Sequence, residues 1–471
     1  MPRTPPEDLQ TFLRRQDAPT LVAVLLELAE DQEAVKARLT RLQLADRPDK
    51  LAAGFRKTLN GWRRSKRFMV GGEAREFGRT LEAWLDQIAR ELMPKAPPTA
   101  LELFQAFIDA DAVFFECADD SDGAVGDAVR SACQYWLQAA SRCETPPGEW
   151  PGRVIDLFAA DAYGAREELL RRADVLFDEA GLRGLVCLFE TRMTQALAGA
   201  SSAGRPASEV YRASAALSLL SEALRDPDVK VGAVMRYSPE PNPVQRMDFV
   251  RAYLDVDRPA DAMAWLQEPW GHDEGSRRAL LAETLERLGR FDESLPLRQT
   301  IFEHSLAVFD LHRWLEHLPE GARSAAHARA RNLALNHDDP VRAAALLLEL
   351  EEDDDAEAVL LAEPARIRGD DYRALVPLAK TLRERELWRA ETAVYRALLT
   401  GILDRAYARA YGHAARYWTR LREIADMGAG LLPLQPHADF EASIRARHAR
   451  KVSFWAHVMG KRPDDNEDDA L

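Results

Sequence analysis

Cysteine is scarce in this chain: Cys117, Cys133, Cys143 and Cys187 are the four, and no two form a CxxC pair. That pattern excludes a zinc knuckle, offers no disulfide framework, and fits a reducing cytoplasm. Long apolar runs are missing as well. No stretch approaches the roughly 18 apolar residues of a membrane helix, and the opening MPRTPPEDLQ has no apolar signal core, so neither membrane insertion nor secretion is expected. Segments of alternating, β-branched character are few, which argues against a sheet. Among catalytic motifs there is no HExxH, no GxSxG, no GxxxxGK(S/T) loop, and no GxGxxG between a strand and a helix. The ten histidines are scattered; His312 and Glu316 lie one helical turn apart, a spacing that serves a surface hydrogen bond equally well. The expectation is a non-enzymatic chain with no cofactor and no metal.

What is present is helix-forming residues in quantity. Ala, Leu, Arg and Glu dominate, and 46% of the 471 residues are hydrophobic, an ordinary share for a water-soluble chain. The formal net charge of −14 favours solubility and disfavours a chain built wholly around nucleic acid, although a local basic face remains compatible with it. The strongest order lies in residues 246–401. There MDFVRAYLDVDRPADAMAWLQ, LLAETLERLGRFDESLPLRQTIF and LAKTLRERELWRAETAVYRALL each read as an apolar helical run, a short turn and a second apolar run. Turns fall near Asp257, Gly289, Gly321, Asp354 and Glu386, a period near 32 residues that marks stacked helix hairpins. In the second pair, Leu281, Leu285 and Leu288 form one stripe, Gly289 permits a left-handed turn, and Phe291, Leu295 and Leu297 continue the apolar face. A single hairpin cannot bury both stripes, whereas stacked neighbours bury them continuously. Ala282, Gly289 and Phe291 give this unit a resemblance to a tetratricopeptide repeat, in degenerate form because Ser294 and Ile301 stand where that family favours alanine.

Along the rest of the chain, TLVAVLLELAEDQEAVKARL (residues 20–39) reads as a helical hairpin broken near Asp31. The next helix carries Phe55, Leu59 and Trp62 and a run of six cations with no acid between them: Arg56, Lys57, Arg63, Arg64, Lys66 and Arg67. Cations at a helix end are favoured by its dipole; the same cluster, with Trp62 and Phe68 near enough to stack, also suits phosphate, nucleic acid or an acidic partner. DDSDG at 119–123 invites a calcium reading. With Asp120 and Asp122 at the third and fifth positions of an EF-hand loop, Ala118 falls at the first and Val129 at the twelfth, where a carboxylate is required. A turn capped by Asp119 or Ser121 accounts for it better. His337 before Asp338, Asp339 and Pro340 is likewise read as a helix start rather than a metal ligand. Breaks at PKAPP, TPPGEWPG, SPEPNP and above all GASSAGRPAS (199–208) divide the chain. Tyr407, Tyr411 and Trp418 read as a core stripe, and DFEASIRARHARKVSFWAHV as a closing helix that turns Ile444, His448, Val452 and Trp455 inward.

The hairpin TLVAVLLELAEDQEAVKARL, the turn ADDSDGAVGDA and the late segment RHARKVSFW resemble the helical region downstream of the zinc-binding module in bacterial SWIM zinc-finger proteins. They are similar also to uncharacterised bacterial proteins that keep this region without the module. The zinc pattern itself, CxC followed by CxH, is absent here. What the resemblance implies is a helical-repeat protein, with zinc not carried over. The sequence thus predicts an all-α chain, an α-solenoid of antiparallel helix pairs, tetratricopeptide-like in its C-terminal half. Its expected divisions are a helical domain 1–200, a repeat array 201–427, a capping helix 428–460 and an acidic, disordered tail 461–471. The expected role is a cytoplasmic scaffold for a protein or peptide partner, with a nucleic-acid module built on 56–67 as the alternative.

Overall fold

The computed structural model describes residues 8–43, 47–65, 67–199, 208–428 and 430–460. Among them every regular element is helical; an isolated bridge between Met69 and Ala118 is the nearest approach to a strand. The chain divides into two compact units, Met1–Val256 and Asp257–Leu471. Most of the stretch GASSAGRPAS, with the bend expected there, lies outside the described residues, as does the acidic tail.

In the first unit, helix Gly72–Gln87 buries Ala74, Leu81, Trp84 and Leu85, spaced to share one face. It packs against Ala124–Ala140, which in turn lies on Pro97–Ile108. Trp84, Phe107 and Phe114 meet in the middle of this core. Proline at the first or second position starts Pro48–Arg63, Pro97–Ile108 and Pro227–Tyr237, where its missing N–H is not needed. Arg166, Asp111 and Glu168 are charged residues buried in this unit. Arg166 grips Asp111 through two bonds of 2.7 and 2.9 Å and donates to the carbonyls of Leu157 and Ile108, each at 3.0 Å.

The second unit contains helix pairs joined by one recurring turn. After Glu274–Arg287, Gly289 takes a left-handed φ of 73°, and Arg290 N–H reaches back to the Leu285 carbonyl at 2.8 Å before Phe291–Ser305 begins. Glu351 does the same between Pro340–Glu349 and Asp353–Ala362, with Glu352 N–H bonded to Leu347 O at 2.9 Å. Glu386 repeats it between Tyr372–Glu384 and Trp388–Asp404, Leu387 N–H reaching Leu382 O at 2.9 Å. This is the six-to-one bond of a Schellman cap. A glutamate in left-handed backbone costs about 1–2 kcal/mol, so the packing of the pair must hold it there. Helix Pro340–Glu349 touches Tyr372–Glu384, and Asp353–Ala362 touches Trp388–Asp404, so equivalent helices of successive pairs are in contact.

Details of the expected pattern shift. Asp257 and Glu386 are left-handed turn residues as spaced, but Gly321 lies in the first turn of Glu320–Leu335 and Asp354 in that of Asp353–Ala362. In Phe291–Ser305 the inward face is Ser294, Arg298 and Phe302 rather than Phe291, which is exposed. Arg298 can point inward because Glu286 accepts both of its bonds, at 2.6 and 2.7 Å. The closing segment is two helices, His437–Arg447 and Val452–Val458. The break between them carries Val452 out to solvent, while Ile444, His448 and Phe454 are buried. Tyr407 precedes its helix and is exposed; Tyr411 and Trp418 are core residues, as expected.

Candidate functional site

The six-cation stretch is less free than its sequence implies. Arg56 donates to Glu102 at 2.7 Å and Arg67 to Glu73 at 2.6 Å, acids brought in by the fold from outside the run. Lys57, Arg63 and Arg64 are exposed, and Lys66 lies outside the described residues. Trp62 is turned into the core, its ring edge-on to Phe77, Trp84 and Phe114 at 6.3, 5.6 and 6.5 Å. Phe68 stays exposed, so one of the two rings expected to stack is committed to packing.

A better-formed site lies beside the N-terminal hairpin. Asp17 starts helix Ala18–Asp31 by accepting from the Thr20 amide at 2.8 Å and its hydroxyl at 2.9 Å, bonds that hold its carboxyl below the usual range. The helix is apolar nearly all round, the pattern of a buried helix, yet none of its residues is buried. Val22 and Leu26 are 53% and 58% exposed, and Val24, Leu25 and Leu28 are exposed too. Its partner Glu33–Gln43 covers one side only.

Between hairpin and body runs a cleft of about 540 Å³, within the usual range for binding pockets. Its floor is Leu25, Leu28, Val35, Leu39 and Leu51. Its rim carries Arg38, Arg41, Arg90 and Lys95 against a single acid, Glu91, which Arg41 engages at 3.1 Å. The rim depends on a local irregularity. Where Gly72–Gln87 ends, the chain makes a π-helical turn, Ile88–Leu92, closed by Met93 N–H to Ile88 O at 2.9 Å. Ile88 and Leu92 remain fully buried while Arg90 and Glu91 face the cleft, a use of π turns seen often at functional sites.

A family model, "Family of unknown function (DUF6880)", matches residues 10–457. The chain belongs to that family. No curated protein matches it. The matched region of this DUF6880 chain takes in the hairpin, the cleft and most of both compact units.

Other candidate residues resolve into structural roles. In the DDSDG turn the cap is Asp120, which accepts from the amides of Val125 and Gly126 at 2.7 and 3.0 Å; Asp119 instead bonds Ser121 within the turn. Asp339 caps Pro340–Glu349, and His337 Nδ1 accepts from the Asp339 amide at 3.0 Å. His312 pairs across to Glu349 at 2.7 Å, leaving Glu316 to Arg313. Among the described residues no group of three His, Cys, Asp or Glu is placed to hold a metal, and no helix is long and apolar enough to cross a membrane. Burial raises the Cys133 thiol far above its ordinary range, which suits packing and not nucleophilic attack. Sequence reasoning missed Arg38, Arg41, Arg90 and Lys95 because they come from two segments distant in sequence. The signal that was available is the hairpin itself, whose apolar character runs around the helix instead of along one stripe.

Proposed function

We propose that this DUF6880 chain is a non-enzymatic binding scaffold, an α-solenoid of antiparallel helix pairs related to degenerate tetratricopeptide repeats. Its partner is a protein that docks an acidic amphipathic helix into the N-terminal cleft. The observation that carries this is an apolar floor with four cations on its rim beside a helix that leaves five large apolar side chains exposed. Such a groove takes the apolar face of a helix, and the rim selects one flanked by Glu or Asp. The contacts between equivalent helices of successive pairs support the solenoid.

The magnitudes are consistent with an interaction of moderate affinity. Covering five half-exposed apolar side chains contributes about 1 kcal/mol each, taking half of the 1.5–3 kcal/mol for full burial. Because association itself costs about 4–15 kcal/mol, affinity beyond the micromolar range needs the partner's own anchors and the charged rim.

The test is capture from lysate of the source organism, with and without nuclease, comparing the native chain with Leu25→Asp/Leu28→Asp and with Arg38→Glu/Arg90→Glu. A protein retained after nuclease, lost with both variants while helicity is unchanged, supports the reading, and its docked segment should be an acidic amphipathic helix. Retention that vanishes with nuclease transfers the role to Lys57, Arg63 and Arg64. A native dimer that Leu25→Asp/Leu28→Asp converts to monomer shows instead that a second copy covers the hairpin.

A further inference from the structure

A separate cavity of about 510 Å³ in the second unit is lined by Ile367, Arg396, Thr400, Asp404, Gln435 and Phe440, among others. Arg396 is only 9% exposed, yet its Nε and Nη2 have no hydrogen-bond partner and it forms no ion pair with a described residue. The other large charges inside this unit behave differently: Arg298 has Glu286, and Arg420 has Glu391. Among the described residues, the Phe440 ring, 4.5 Å from the guanidinium carbon, is the favourable contact for the charge. A ring face restores only part of what an arginine loses on leaving water. Desolvation alone accordingly draws the guanidinium down to about 10. A second orphan lies close by. His437 has both ring nitrogens buried and unpartnered, and the Arg396 charge acts on it.

We infer that this cavity is a binding site for a carboxylate, seated by Arg396. The guanidinium fork matches a carboxylate with two parallel bonds, and its Nε and Nη2 are buried without a hydrogen-bond partner. A monoanion fits better than a phosphate dianion, since the wall offers one unpaired cation and already contains Asp404, itself bonded to Arg447 at 3.1 Å. Thr400 and Gln435 add neutral polar groups, and Phe440 an apolar wall for the carbon skeleton. The carboxylate has two sources, a small organic acid or the C-terminus of a peptide. This site lies in the other compact unit from the N-terminal cleft and stands independently of it.

The full chain is titrated calorimetrically with acetate, benzoate and inorganic phosphate, and with a mixed-sequence peptide pool bearing free C-termini against its amidated counterpart. Saturable carboxylate binding, benzoate the tighter, with phosphate weaker and at least a tenfold loss in Arg396→Met, is the expected result. Preference for free over amidated peptides assigns the chain terminus as the source; binding of the small acids without that preference assigns a free acid. A measurement on the native chain covers a variant that does not fold: benzoate should protect Arg396 from phenylglyoxal, read by mass spectrometry. Absence of saturable carboxylate binding, phosphate binding tighter than every carboxylate, unchanged affinity in a folded Arg396→Met, or no protection overturns the assignment.

Discussion

Gly369 and Gly401 meet backbone to backbone, and replacing Gly369 with alanine tests the placement of helix Trp388–Asp404 directly. A Cβ at Gly369 would stand 1.9 Å from the Ala397 carbonyl oxygen and 2.7 Å from its carbon, and one at Gly401 would stand 2.6 Å from the Gly369 oxygen. Ordinary contact begins near 3.4 Å, so the chain around Gly369 must lift by about 1.5 Å from helix Trp388–Asp404. No side-chain rotation relieves this, because the atoms struck belong to a helix backbone. The cost therefore lies at or above the upper end of the about 1–3 kcal/mol typical of overpacking. At a urea dependence of about 2–3 kcal/mol per molar, a 3 kcal/mol loss lowers the midpoint for this unit by at least about 1 M. Gly184→Ala is the control: Gly184 sits inside helix Glu179–Gly199 with nothing within 4 Å of its added methyl, and the change should stabilise by about 0.5–1 kcal/mol. Urea unfolding followed by fluorescence, with hydrogen exchange to locate the transition in Trp388–Asp404, separates the two. A Gly369→Ala chain as stable as the parent would refute the crossing and the shape of the adjoining cavity with it.

Three further outcomes follow from charge and burial. Glu391 is fully buried and accepts from Arg383 at 3.0 Å and from Arg420 at 2.8 and 3.1 Å; Glu391→Ala should lower stability by about 3 kcal/mol in the same unfolding assay, since a largely buried Arg420 loses two bonds and keeps only Glu423, at 3.1 Å. The Glu274 carboxyl is pulled down to about 2, first by its bonds from Arg277 and then by the Trp270 amide. A depressed acid contributes stability that is complete above the ordinary glutamate value of 4.5 and disappears as pH falls towards 2, so Glu274→Gln should flatten the acid limb of the stability profile there and nowhere else. Under native conditions a thiol reagent should label exposed Cys187 quickly and buried Cys133 only on unfolding, as mass spectrometry of the labelled peptides would show.

The helical period was legible because it is local. Leu285 and Trp418 are buried where spacing put them, and Asp257, Gly289 and Glu386 turn the chain where the repeat required. Glu351 was not recognisable as a left-handed residue, because nothing in a glutamate favours that backbone; the Schellman bond and the packed pair impose it. The inward turn of Arg298 was hidden for a similar reason. A charged residue reads as surface until its partner Glu286, on the preceding helix, is known to face it. The cation run at 56–67 shows the converse, since Glu73, six residues past its end, and Glu102, 46 residues from Arg56, pair with two of its members. Patterns within one helix survive folding, whereas charge balance is decided between helices.

That distinction is also why Arg396 stands apart. Withdrawing an arginine from water costs several kcal/mol, and a buried charge is ordinarily retained only when its donors are satisfied. Arg166 meets that condition with a bidentate carboxylate and two carbonyls. Arg396, nearly as buried, has the Phe440 ring, worth about 0.5–2 kcal/mol. A methionine of similar length would pack against the same ring at no electrostatic cost, so the packing gives no reason for the charge. If the guanidinium serves packing alone, Arg396→Met should leave the chain at least as stable and change nothing else. If it serves a ligand, the same substitution should raise the stability of the free chain while removing its response to benzoate. The two accounts therefore agree on stability and part on binding.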